Sequence, residues 1–147
     1  MASEASWIEA VGAFIDYVKM RHIWVLLMTE SETDLVRRKA HLYRSQSIDV
    51  FPGGIVFELA VLSNAVERTF EALARLGFTA VELSENIVPL VLDEKLAHLK
   101  RAKAGGLKVL FEVGEKYPTD IFDVDLAARE IDALRNAGCD LVILEKS

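Results

Sequence analysis

Three glutamates mark the ends of three apolar segments roughly thirty residues apart: Glu82 in VELSEN, Glu112 in FEVGEKYP and Glu145 in ILEKS. Carboxylates gathered at one end of a sheet can ligate a hard divalent cation or move a proton. Lys116 follows Glu112 closely, and an amine drawn out of water can titrate near neutrality and act as an acid. A structural ion pair is the plainer reading of Glu112 and Lys116. Solvated strand ends are the plainer reading of Glu82, Ser84 and Glu85. Lys19, Arg21 and His22 in KMRH form a small basic cluster, which in an acidic chain suits an anion. Pro52-Gly53-Gly54 either lets backbone N–H groups approach a ligand or makes a tight turn.

These residues need elements to position them. Short runs rich in Val, Ile, Leu and Phe lie at 14–19 (FIDYVK), 48–52 (IDVFP), 79–84 (TAVELS), 107–113 (LKVLFEV) and 140–145 (DLVILE). That is the pattern of buried parallel strands. Between them run apolar stripes at helical spacing: Val66, Phe70, Leu73 and Leu76; Leu92, Leu96 and Leu99; Ala127, Ile131 and Leu134. Leu35, Val36, Ala40 and Tyr43 give a weaker stripe, and a first helix is expected around 6–11. Gly77, Gly105, Gly106 and Gly138 follow stripes as helix stop signals. Asp123 and Asp125 open the last helix, where acidic side chains suit the dipole. Asp34 reads as a helix cap, Arg37 to Lys39 as a solvated face, and His41 and His98 as surface residues. Cys139 reads as a small buried residue and Trp7 as a packing residue.

Strands alternating with helices imply right-handed βαβ units and a parallel sheet. An open doubly wound sheet and a (βα)8 barrel both satisfy that order. The glutamates favour the barrel. Their apolar neighbours face the helices, so the carboxylates turn inward at the C-terminal mouth, where this fold keeps its active sites. No GxGxxG follows the first strand, which argues against a dinucleotide-binding sheet. The fold class is therefore α/β, of the (βα)8 TIM-barrel type. Eight strands usually take about 250 residues, so residues 1–147 are expected to form a single partial barrel domain of about five parallel strands. Its last strand is open to pairing, and a homo-oligomer is expected.

The chain is 52% hydrophobic and 27% charged, which excludes a disordered protein. A net charge of −6 argues against a nucleic-acid partner. The single cysteine excludes an internal disulfide and a Cys-based zinc cluster. No apolar run approaches the ~20 residues of a membrane span, and the first residues, MASEASWIEA, lack the apolar stretch of a signal peptide. A soluble, cytoplasmic protein is expected.

As a set, IDVFPGGIVFE, LGFTAVELSEN, RAKAGGLKVLFEVGEK and AGCDLVILE, with FIDYVK before them, carry a family likeness. The order PGG-x-x-FE, VE-[LI]-S and EVG-x-K resembles the phosphosulfolactate synthase family and its bacterial relatives, over nearly the whole chain. The resemblance implies a (βα)8 barrel entered after its first strand and left after its sixth. It implies Mg²⁺-dependent addition of sulfite to phosphoenolpyruvate, an early step of coenzyme M synthesis. It further implies that Lys116 is the acid, with Glu112 beside it in the catalytic set. Glu82, Glu112 and Glu145 are the expected metal ligands or their supports. Lys19, Arg21, Gly53, Gly54 and Ser84 are expected to hold the anionic substrate. One segment departs: the family's Lys-Phe-Gly-Trp-Gly-Thr reads Lys19-Met20-Arg21-His22-Ile23-Trp24 here, and the first lysine after EVG is Glu115. Two further readings therefore stay open. One is a barrel enzyme for another small phosphorylated or carboxylated anion. The other is a non-catalytic partial barrel that self-associates.

Overall fold

The computed structural model describes residues 2–20, 25–114 and 121–145. The elements run α1 (Ala2–Val11), a 3-10 turn (Gly12–Phe14), β1 (Tyr17–Met20), α2 (Glu30–Arg44), β2 (Asp49–Pro52) and α3 (Ile55–Leu62). They continue with α4 (Val66–Leu76), β3 (Ala80–Leu83), α5 (Leu92–Ala104), β4 (Lys108–Val113), α6 (Val124–Asn136) and β5 (Leu141–Leu144). β2 to β5 lie inside their expected runs, and β1 extends one residue past the run 14–19, to Met20.

All the pairings are parallel: β1 with β2, β3 with β4, and β4 with β5. Thr79 joins the two ladders. Its N–H donates to the Val50 carbonyl at 3.1 Å, and its hydroxyl oxygen accepts from the Val50 N–H at 2.9 Å. The strands thus follow one another in sequence order without a reversal. Right-handed crossovers in an unreversed series place every helix on the same side of the sheet. That makes a barrel wall; a doubly wound sheet needs a switch point.

The two faces of the sheet differ accordingly. Val50, Val81, Leu83, Val109, Phe111 and Val113 point outward into the main core. Phe57, Phe70, Leu73, Leu99, Ala102 and Leu134 of the helices meet them there. On the inner face, Tyr17, Phe51, Ala80, Leu110 and Ile143 pack together, one residue from each strand. This layer closes the floor beneath the mouth.

Several local readings are corrected. Thr29 caps α2, not Asp34: its side chain accepts from the Glu32 N–H while Glu32 accepts from the Thr29 N–H at 2.8 Å. This capping box leaves Asp34 inside the helix, paired with Arg37 at 2.8 Å. Helix α3 gave no periodic stripe because IVFELAVL is buried on several sides, at Val56, Phe57, Glu58 and Ala60. Trp7 is 55% exposed, so it packs less than expected. His98 is half-buried against the Phe57 ring at 5.1 Å, whereas His41 is at the surface. No helix of the described residues is long and apolar enough to cross a membrane.

Candidate active site

Strand alternation carries the next inward positions above the apolar floor: Lys19 on β1, Glu82 and Ser84 at the end of β3, Glu112 on β4 and Glu145 after β5. In register, Glu82 stands opposite Leu110 and Glu112 opposite Ile143, so each glutamate sits two residues further along its strand than the one before.

Glu82 is held from two sides. Its Oε2 lies 2.6 Å from Lys19 Nζ, and its Oε1 accepts the Gly54 N–H at 2.8 Å. The carboxylate is buried at 3% exposure, while Lys19 keeps 39% of its side chain in solvent. Among the described residues Oε2 accepts no hydrogen bond, so its contact with Lys19 is an ion pair. Gly54 is required by this approach: a Cβ there would collide with Ser84 and lie 3.0 Å from Glu82 Oε1. The Gly54 N–H, expected to face an anion, is therefore already committed to Glu82. Gly53 differs, since among the described residues a Cβ there would meet only Lys19 Cδ, at 3.8 Å.

Glu112 is 6% exposed and accepts the Asn86 side-chain amide on Oε1 at 2.6 Å. Burial pushes its carboxyl above the usual carboxylate range. The Asn86 hydrogen bond opposes this, the charges of Glu82 and Glu145 add to it, and Lys19 works against it. Gly114 then turns the chain at φ 108°, where a Cβ would strike the Glu145 carbonyl across the ladder. This accounts for the glycine of EVG without any ligand.

Ser84, expected to face substrate, is 1% exposed and directs its hydroxyl to Glu58 Oε1. Glu85 points to the helix side. Its Oε1 meets Lys95 Nζ at 2.5 Å, and the same amine meets Glu130 at 2.6 Å above the Phe111 ring. Glu85, read either as a mouth residue or as a solvated strand end, is instead in a structural ion pair. Cys139 is half-buried, its thiol donating to the Val109 and Leu141 carbonyls, and burial pushes its pKa up. Among the described residues no three His, Cys, Asp or Glu side chains meet at metal-binding distances. Glu82, Glu112 and Glu145 therefore do not form a ready-made three-carboxylate cluster, because Glu82 is tied to Lys19 and Gly54 and Glu112 to Asn86. Arg21 and Lys116 lie outside the described residues.

Residues 2–147 match the family described as (2R)-phospho-3-sulfolactate synthase (ComA). The chain belongs to the phosphosulfolactate synthase family. The phosphosulfolactate synthase of Methanothermobacter thermautotrophicus is 32% identical over 146 residues, 98% of this chain and 55% of that protein. The one from Methanocaldococcus jannaschii is 33% identical over 141 residues, 95% of this chain and 55% of its own length. The chain thus spans about half the length of these relatives. Among solved structures, a 2,3-dimethylmalate lyase of the PEP mutase/isocitrate lyase superfamily aligns with a TM-score of 0.54 at 17% identity. That alignment covers 93% of this chain and 51% of the lyase. A D-psicose 3-epimerase aligns at 0.50 and 11% identity, over 95% and 56% of the two chains. These likenesses concern the fold alone.

The phosphosulfolactate synthase motifs acquire physical content from the geometry. PGG-x-x-FE supplies Gly54 to Glu82 and Glu58 to Ser84; VELSEN supplies Glu82, Ser84 and Asn86. Asn86, Glu58, Lys95 and Glu130 escaped the sequence reading. A signal for Glu58 existed: it is the one charge in an otherwise apolar helix. Asn86 had none, because its value depends on reaching a strand 26 residues away.

Proposed function

We propose that this protein is a phosphosulfolactate synthase-type lyase adding sulfite to phosphoenolpyruvate. The observation that carries the reading is the paired inner-face set, Lys19 on Glu82 and Asn86 on the desolvated Glu112, in a chain of this family. In the proposed reaction the sulfite sulfur lone pair forms a C–S bond to the methylene carbon. The C=C electron pair moves onto the adjacent carbon and into its carboxylate as an enolate. A proton delivered to that carbon completes 2-phospho-3-sulfolactate, with the phosphate ester intact. Lys116 is the proposed donor of that proton. Lys19, Arg21 and Gly53 are the proposed anion contacts, with Gly54 and Ser84 shaping the floor through Glu82 and Glu58.

Magnesium fits the donor set. Glu82 Oε2 accepts no hydrogen bond, and Glu112 is a desolvated carboxylate in the field of Glu82 and Glu145. Mg²⁺ commonly needs only one or two carboxylates and keeps its waters. Glu82, Glu112 and Glu145 are the proposed ligands or their supports. When bound, the ion supplies positive charge against the enolate.

The test is ³¹P NMR of phosphoenolpyruvate with sulfite and Mg²⁺, with and without protein. Lys116→Ala is expected to lose ~10²- to 10⁴-fold in rate. If neither this chain nor a longer form of it consumes phosphoenolpyruvate, the reading fails. The KMRHIW segment favours a second reading, an enzyme for another small phosphorylated or carboxylated anion. A ligand screen in which such an anion, and not phosphoenolpyruvate, raises Tm would select it. We propose self-association from the exposed Leu126, Leu141 and Leu144; light scattering from a plain monomer would remove it.

A further inference from the structure

Glu58 is a carboxylate at 1% exposure, and it makes no ion pair among the described residues. A buried anion is costly unless donors surround it. Here three do, all from one segment: Ser84 Oγ, the Ile87 N–H at 2.5 Å and the Val88 N–H at 3.1 Å. These donors flank Asn86 on both sides. Asn86 itself is exposed, and its amide reaches out to Glu112. The same first turn of α3 also supplies the Gly54 N–H to Glu82. One helical turn thus fixes both glutamates, Glu82 directly and Glu112 through the loop.

We propose that Glu58 is a positioning residue: by pinning the 84–88 loop from beneath, it holds the Asn86 amide on Glu112. The inference deepens the active-site reading above and rests on it for its catalytic meaning. Its geometry requires reach rather than charge. Gln at this position can accept both N–H groups on Oε1 and donate from Nε2 to Ser84 Oγ, whose proton rotates away. Asp keeps the charge but falls one methylene short.

The test is NMR of Glu58→Gln and Glu58→Asp, following amide exchange at Ile87 and Val88 and the Asn86 side-chain amide signals. Glu112→Gln serves as the reference for a perturbed Asn86. Glu58→Gln is expected to keep both readouts near wild type. Glu58→Asp is expected to exchange about tenfold faster or more at Ile87 and Val88, with Asn86 signals moving toward those of Glu112→Gln. A charge role gives the opposite order. Equal behaviour of the two variants, or the reverse order, overturns the proposal; so does an Asn86 signal that Glu112→Gln leaves unmoved. If Glu58→Asp does not fold, Ser84→Ala removes one of the three donors, and unchanged exchange there also overturns it. Neither readout needs turnover, so the expected order in an inactive protein would sink the proposed reaction and leave the positioning role standing.

Discussion

Asn86 and Glu112 meet at 2.6 Å across neighbouring strand ends, an exposed amide on a buried carboxylate. Burial disfavours the Glu112 anion, and the Asn86 amide is its largest stabilising partner. The Asn86 amide thus offsets part of what burial costs the Glu112 anion.

Replacing that carboxylate separates the two demands. Glu112→Gln can still face Asn86 and removes a charge that burial opposes, so its stability is expected to match or exceed wild type. Turnover of phosphoenolpyruvate is expected to fall ~10²-fold or more. Urea unfolding alongside the ³¹P assay checks both. A large stability loss with activity retained would contradict the assignment.

Lys19 and Glu82 are expected to be coupled. Lys19→Met leaves a carboxylate at 3% exposure without its cation, held among the described residues only by the Gly54 N–H. Because Lys19 is itself partly in solvent, the loss is expected at about 1–2 kcal/mol, between exposed and buried pairs. The double variant Lys19→Met/Glu82→Gln is expected to recover part of it. Additive losses in that cycle would mean that the pair contributes nothing.

Gly54→Ala tests the close approach of the PGG turn to β3. The added methyl would collide with the Ser84 side chain, which cannot retreat because it is buried against Glu58. Overpacking of this kind costs ~1–3 kcal/mol, and the urea midpoint is expected to fall accordingly. Gly53→Ala, with only Lys19 Cδ nearby among the described residues, is the contrast and is expected to change stability little.

Lys95 links the β3–α5 loop to α6 through Glu85 and Glu130. Burial alone would lower its pKa, but the hydrogen bonds it donates to Glu130 and Glu85, and their charges, raise it above the ordinary lysine value. A raised folded-state pKa stabilises fully below the unfolded value, ~10.4, and is lost as pH climbs through the folded one. Wild-type stability from this group is therefore flat around neutrality and declines only in strong alkali. Lys95→Met leaves two close carboxylates without their cation and is expected to cost ~3–5 kcal/mol near pH 7. Thermal unfolding of wild type and Lys95→Met across pH 7–11 checks the sign, and a Lys95→Met deficit that grows toward alkali would refute it.

The sequence by itself determined the strand–helix alternation, because apolar runs and 3.6-residue stripes are local consequences of what each element buries. It also determined that Glu82 and Glu112 face away from the helices, because a strand alternates with a fixed period of two and their outward neighbours are apolar. The tertiary structure alone decided partners. Whether the Gly54 N–H serves a ligand or Glu82, whether the Ser84 hydroxyl faces substrate or Glu58, and whether Glu85 joins the mouth or Lys95 depend on side chains meeting from distant parts of the chain. Those meetings are set by the packing of α3, α5 and α6 on the strands. No pattern within a single segment encodes them, since a hydrogen bond is satisfied by proximity in space and not by spacing in sequence.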